Sequence, residues 1–460
     1  MGRPMLDGRP DTLFAWNEDA ALAYQVIGSG SLDLVYRQGW LSNVELNWDH
    51  PIMSRFLRSL ASGRRLIVMD PRGSGCSDRG SPKDVPPLEL QMEDTIAVLD
   101  AVGSERAVLV GTNDQAFVVS MVAAAYPERT AALVLYEASA NFTWTEETPW
   151  EWTNEQWENQ DAHYRTPEAR TWERALEDVR SDYPSVAGDA SYVDWWRRYG
   201  LLSGALGAGL AQARLHRWTD IRAVMPTIRV PTLVFAQADH PEWSWYPAAQ
   251  FVASRIPGAR LVEMPGVDAG LWMNAEPAVR AIDTFLAEVR HEEAELDRVL
   301  ATVLFTDIVD STGHAARRGD QAWADLVRSH NATVRALLAR FRGTEVDTAG
   351  DGFFATFDGP GRAVRCASSI VDAVRALGIE VRAGIHTGEV ESLDGKVGGL
   401  AVSIGARVGS VAAPSTILVT STVKDLCAGS NLQFEDAGEY DLKGIPDRWR
   451  LYRVPRAAAG

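Results

Sequence analysis

From residue 13 to about residue 289 the chain alternates short apolar runs with stretches of helical spacing. The runs lie at 32–36, 65–69, 107–110, 132–135, 232–235 and 260–262. Their length suits strands buried on both faces. Between them, 91–102 and 117–126 repeat apolar residues at the period of a helix with one face in a core. Strands alternating with helices predict a parallel sheet covered on both sides. The alternation breaks between residues 141 and 221, where eight of the chain's sixteen tryptophans fall.

The second part of the chain has a different rhythm. Residues 288–299 are charged with helical period and predict a linker, set at 291–298, between a domain at 1–290 and another at 299–455. Residues 303–306 read as a short buried strand running into Asp307. Residues 345–348 and 353–357 read as a hairpin around the turn Ala349-Gly350-Asp351-Gly352. Carboxylates at strand ends are rigidly held, and hard oxygen ligands suit a pair of Mg²⁺ or Mn²⁺ ions. Further on, Ser403 and Arg407 stand four apart in the helical stretch 402–411 and share one face. Two acids, a glycine-flanked turn and a distant arginine are parts for metal-assisted phosphoryl chemistry.

Composition narrows the partners. A chain of 460 residues exceeds one core and predicts two or three domains. Its 46% hydrophobic content is that of a globular protein, and its net charge of −17 argues against nucleic-acid and anionic-membrane partners. Cys76, Cys366 and Cys427 are far apart and form no zinc spacing, which predicts free thiols in a reducing compartment. The N-terminal ten residues lack an apolar signal core, and the small-apolar stretch 201–213 is too short to span a bilayer. A soluble, cytoplasmic protein is expected.

Five runs in order, FTDIVDST (305–312), GDGFFATF (350–357), GIHTGEV (384–390), VGGLAVSIGARV (397–408) and LKGIPDRWRLYRV (442–454), resemble a class III adenylyl/guanylyl cyclase catalytic domain. The resemblance implies a ferredoxin-like βαββαβ core, α+β in class, with helices on one face of an antiparallel sheet. It implies that Asp307 and Asp351 hold two Mg²⁺ or Mn²⁺ ions and that Arg407 stabilises the transition state. The loop Ile308, Val309, Ser311 and Thr312 would cradle the triphosphate with backbone amides, and Lys443 would add a phosphate contact. It also implies a homodimer, with the aspartates from one subunit and the arginine from the other. Three positions depart from the family. Asp347 stands where a lysine reads adenine, Lys396 where its partner carboxylate is expected, and Ser403 where an asparagine orients the ribose. The first two look like a charge exchange that keeps ATP if the side chains trade places and favours GTP if they do not; related hydrolase–cyclase fusions of actinobacteria weigh toward ATP. A nucleotide-binding regulatory module of low activity is the second reading.

The first domain resembles an α/β-hydrolase. Gln38-Gly39 falls at the oxyanion loop, DPRGSGCSD (70–78) at a family turn, AVLVGTNDQA (107–116) at the nucleophile elbow, and PTLVFAQAD (231–239) at the acid-bearing strand. Residues 141–221 then correspond to a lid, whose aromatics either pack on the core or line a pocket for an apolar ligand. The chemistry is missing. Asn113 occupies the nucleophile's place and Ala269 the base's, so Asp239, in the acid position, has nothing to assist. His240 is the nearest spare histidine. An esterase or lipase is the least favoured function, and a ligand sensor the alternative.

Overall fold

The computed structural model describes residues 8–39, 42–79, 86–169, 171–204, 206–237, 239, 245–296, 298–393 and 396–456. These divide into two compact units, Met1–Val289 and Arg290–Gly460. No described helix is long and apolar enough to cross a membrane.

The first unit is built on β1 (Leu13–Asn17), β2 (Ala20–Ile27), β3 (Asp33–Arg37), β4 (Arg65–Met69), β5 (Ala107–Thr112), β6 (Thr130–Tyr136), β7 (Thr232–Gln237) and β8 (Arg260–Met264). They form one sheet in the order β1-β2-β4-β3-β5-β6-β7-β8. From β4 to β8 every neighbour is parallel, while β1 and β2 add an antiparallel edge. The sequence pattern missed that hairpin, because Leu13, Phe14 and Trp16 of β1 are exposed rather than part of a core. Helices α1 (Pro51–Leu60), α2 (Leu88–Ala101), α3 (Gln115–Ala125), α8 (Trp245–Arg255) and α9 (Ala275–Leu296) belong to the sheet layers. Alternate strand residues feed two cores: Leu34, Leu66 and Val108 on one face, Val35, Ile67 and Leu109 on the other. Between β6 and β7 the chain forms α4 (Asn154–Tyr164), α5 (Trp172–Asp182), α6 (Ala190–Ser203) and α7 (Leu206–Trp218), the stretch in which the strand pattern stops. Helix α9 continues to Leu296, so most of the expected linker is its last turns; no glycine or proline after Pro277 interrupts it.

The second unit runs β9 (Arg298–Ile308), α10 (Ser311–Arg318), α11 (Asp320–Phe341), β10 (Thr344–Ala349), β11 (Gly352–Phe357), α12 (Pro360–Ala373), β12 (Val381–Leu393), β13 (Lys396–Gly398), α13 (Leu400–Val411), β14 (Ile417–Thr420), α14 (Ser421–Leu426), β15 (Glu435–Asp441) and β16 (Arg448–Arg453). Its sheet order is β10-β11-β9-β12-β14-β16-β15, with β13 on β12. The first four strands make the expected βαββαβ core. Two expectations are corrected. Strand β14 pairs parallel to β12, and helices cover both faces rather than one. Leu304 and Ile308 of β9 lie in a core with residues of α11 and α12. Val303, one step along, is buried with Ala401 of α13, with Phe305 packed alongside. A strand apolar on both sides leaves neither face to solvent, hence the second helical layer.

Helix α13 reaches β12 through glycines. A Cβ on Gly384 would overlap the backbone nitrogen of Gly409. We expect Gly384→Ala to destabilise the second unit by roughly 1–3 kcal/mol, read as faster hydrogen exchange in β12 and α13. Unchanged exchange in both elements would contradict this packing.

Candidate active site

In the second unit, β9 lies between β11 and β12. Pairing of Thr306 with Phe353 puts Asp307, near the end of β9, beside the turn that holds Asp351. The two carboxylates therefore sit at the same end of neighbouring strands. On the other side Asp307 stands opposite Arg382 of β12. Arg382 donates to Asp307 Oδ2 from Nη2 at 2.6 Å and from Nε at 3.0 Å, and from Nη1 to the Ser410 carbonyl of α13 at 3.2 Å. The Asp307 side chain is still 42% exposed. Asp351 has a buried Oδ2 with no hydrogen-bond partner, as have Thr306 Oγ1 and His330 Nε2. The His330 ring packs edge-on against Phe353, and burial pushes its imidazole below the ordinary value.

The chain leaves β9 through Val309, whose N–H donates to Glu380 O at 2.9 Å. Asp310 then adopts φ 55° and α10 begins at Ser311. This left-handed residue turns the chain so sharply that the Ser311 and Thr312 amides open a helix within five residues of Asp307. Such amides have no acceptor inside their own helix. Arg317, paired at 2.9 Å, holds the Asp310 carboxyl below its usual range.

The other sequence-predicted residues are more dispersed. Asp347 is exposed on β10, its Oδ1 accepting from Thr348 N–H at 2.8 Å. Lys396 opens β13 opposite Leu393; its side chain lies outside the described residues. Ser403 and Arg407 are exposed on α13, whose buried residues are Ala401, Ile404, Gly405, Val408 and Gly409. Lys443 is exposed in the loop between β15 and β16. Among the described residues no hydrogen bond or ion pair joins Arg407 to either aspartate. Nor does any group of three His, Cys, Asp or Glu side chains assemble there as a metal cage. The donor set is two carboxylates, one with an unpartnered buried oxygen and one neutralised by an arginine. That set fits a hard divalent cation completed by substrate oxygens.

The first unit has an open-mouthed cavity of about 610 Å³, lined by Gln38, Gly39, Thr112, Asn113 and Ala269 together with residues of α4, α5 and α6. Asn113 follows β5 with φ 51°, and Asp114 then caps α3, a sharp strand–turn–helix. Asn is among the few non-glycine residues that enter this region readily. Gly39 approaches so closely that a Cβ would overlap the Thr112 carbonyl oxygen. The bend therefore presents an amide side chain at the cavity wall. Gln115, where the family has a small residue, accepts from the fully buried Arg37 at 2.9 and 2.7 Å. Its amide donates to Asp114 Oδ2 at 2.9 Å, which also meets His216 Nε2 of α7 at 3.1 Å. Ala269 offers the cavity only a methyl group. Asp239 is exposed after β7, and His240 lies outside the described residues.

Sequence reasoning missed two carboxyls that line this cavity, Glu137 and Glu151. Glu137 follows β6, with φ 50°, and accepts from Gly270 N–H at 2.8 Å. Glu151 accepts from the Ser139 hydroxyl. Burial pushes each up to about 7. An acid at the carboxyl end of a parallel strand was a usable signal for Glu137. Arg382 had none, because its partner is set by strand register.

Residues 294–455 match the adenylate and guanylate cyclase catalytic domain, and residues 34–176 match the alpha/beta hydrolase fold. A hydrolase from Pseudomonas aeruginosa is similar at 25% identity and TM-score 0.50, covering 61% of this chain and 99% of its own. The adenylyl cyclase CyaB from P. aeruginosa is 20% identical with TM-score 0.33, over 35% of this chain and 96% of its own. An uncharacterized protein of Rhizobium meliloti is 27% identical over 180 residues, 34% of this chain and 17% of its length. The chain spans less than a third of the length of the curated relatives it matches. It carries a cyclase catalytic domain behind an α/β-hydrolase-fold domain.

The two raised carboxyls give the first unit a pH signature. Their folded values, about 7, lie above the roughly 4.3 of an unfolded glutamate. Between those limits the folded chain keeps protons that the unfolded chain has released. Stability from this source is complete below the unfolded value and is lost as pH rises through 7. Fourteen of the sixteen tryptophans lie in residues 1–289, so their fluorescence reports this unit. Its urea midpoint should fall from pH 5.5 to pH 8, and the double variant Glu137→Gln/Glu151→Gln should flatten that slope. An unchanged slope in the double variant would refute the assignment.

Proposed function

We propose that the chain is a nucleotidyl cyclase, a homodimer that converts ATP to 3′,5′-cyclic AMP and pyrophosphate. The observation that carries this is the placement of Asp307 and the Asp351 turn at the same end of neighbouring strands, one oxygen unpartnered, inside a matched cyclase catalytic domain. When bound by these carboxylates, Mg²⁺ or Mn²⁺ ions supply charge neutralisation on the triphosphate and a more acidic 3′-hydroxyl.

The chain's own residues do the rest. The amides of Ser311 and Thr312, following Ile308 and Val309, receive phosphate oxygens, and Lys443 adds a cation. The 3′-oxygen bonds to the α-phosphorus as its proton passes to solvent, and the bond to the β-phosphate oxygen breaks. Negative charge grows on the α-phosphoryl oxygens, where an arginine with no carboxylate partner has most to offer. Arg407 is exposed on α13 and, among the described residues, makes no hydrogen bond or ion pair with either aspartate; in the proposed dimer the partner subunit's Arg407 completes the site. Ser403, one turn earlier on the same face, takes the ribose. Asp347 and Lys396 read adenine with their charges exchanged. Val299, Leu300 and Leu400 are 53%, 66% and 60% exposed, apolar surface that a second copy would cover. A nucleoside triphosphate substrate places the protein in the cytoplasm. The first unit, lacking nucleophile and base, serves as a ligand-binding sensor and not as an esterase.

Asp307→Ala and Arg407→Ala should each abolish cyclic nucleotide formation while leaving the fold intact. Mixed in equal amounts with subunit exchange, half the dimers hold one intact site of two, so activity should return to about a quarter of wild type. No recovery after proven exchange would eliminate the shared site. Base choice is read from kcat/KM: ATP should exceed GTP, and a preference for GTP of about tenfold, roughly 1.4 kcal/mol, would reverse the assignment.

A further inference from the structure

We propose that the cavity of the first unit binds a small organic ammonium compound, an aromatic or alkyl body bearing one protonated amine, with Glu137 and Glu151 as its anionic partners. This deepens the reading of that unit as a ligand-binding module and names the ligand's chemical class.

The cavity's volume of about 610 Å³ lies within the range of small-molecule sites. Phe142, Trp152, Trp157, Tyr183, Trp196 and Trp272 supply aromatic wall. Ring faces attract an organic cation, more so when water is excluded. The charges on the lining are unevenly answered. Arg174 is paired with Asp178 at 2.7 Å, and Arg197 with Asp194 at 3.1 Å. Arg180 is exposed on α5. Glu137 and Glu151, each more than nine-tenths buried, have no ion pair with any described arginine, lysine or histidine. Their hydrogen bonds come from a backbone amide and a hydroxyl.

A buried carboxyl without a counter-ion is costly to ionise. Burial holds both up to about 7, so near neutral pH they are poised to ionise when a cation arrives. An ammonium group entering the cavity supplies the missing counter-charge, and the aromatic wall takes the apolar body. Glu177, Asp178 and Asp182 also line the cavity, so an anionic ligand would meet more carboxyls than arginines. A neutral one would gain the wall alone.

The test is calorimetric titration of the 460-residue chain near neutral pH with three probes of one shape: 4-phenylbutylamine, 4-phenylbutan-1-ol and 4-phenylbutyrate. The amine should bind at least about tenfold more tightly than the alcohol, a difference near 1.4 kcal/mol, and the carboxylate should not bind. Glu137→Gln keeps an acceptor for Gly270; it and Glu151→Gln should each remove most of the amine's advantage and leave the alcohol unaffected. Absence of amine binding, equal affinity for the alcohol, or an advantage that survives in both variants would overturn the proposal. The wild-type comparison decides the ligand class even if a variant fails to fold. Hydrolysis of p-nitrophenyl esters, assayed beside it, reports separately on the non-hydrolytic reading: turnover that Asn113→Ala abolishes would remove that reading and leave the amine result standing.

Discussion

Strand β9 is hydrogen-bonded on both sides, to β11 with Thr306 opposite Phe353 and to β12 with Asp307 opposite Arg382. Side chains alternate faces along a strand, so a slip of one residue in either ladder would separate the two aspartates or take the arginine away. The burial of Leu304 and Ile308 under one helical layer and Val303 under the other prevents such a slip. The candidate site inherits its precision from that core. Arg382 supplies the balancing charge in this arrangement: two acids placed side by side would repel, and its guanidinium holds one of them.

In the first unit a buried polar network surrounds the bend at Asn113. The strand–turn–helix at Asn113 and the close approach of Gly39 form a tight bend at the cavity wall. Around it the polar groups now serve one another. Arg37, entirely buried, is satisfied by Gln115 and Thr95, and Gln115 links it to Asp114 and His216. Burial lowers the Arg37 guanidinium to about 10, with Asp94 and Asp114 acting against it. A network of this kind is expensive when incomplete and firm when complete. It ties α7 to the start of α3 through His216 Nε2 and Asp114, while His216 Nδ1 is left buried and unpartnered.

Much of this was legible in the residue order. Apolar runs and their periods located β3 to β8, the hairpin of β10 and β11, and α13, because burial on a strand or helix leaves a local repeat. Strand-end aspartates announced themselves through their neighbours, and the identities of Asn113 and Ala269 are read directly from the residue order. The edge hairpin of β1 and β2 was not legible, since its exposed Leu13, Phe14 and Trp16 mimic no core repeat. Tertiary structure alone decided three things: that Arg382 answers Asp307 from 75 residues away, that α13 closes the second face of its sheet, and that Glu137 and Glu151 share one cavity. Each depends on ladder register or on the meeting of distant segments. A local pattern records which side of its own element a residue occupies; it carries no record of what lies opposite.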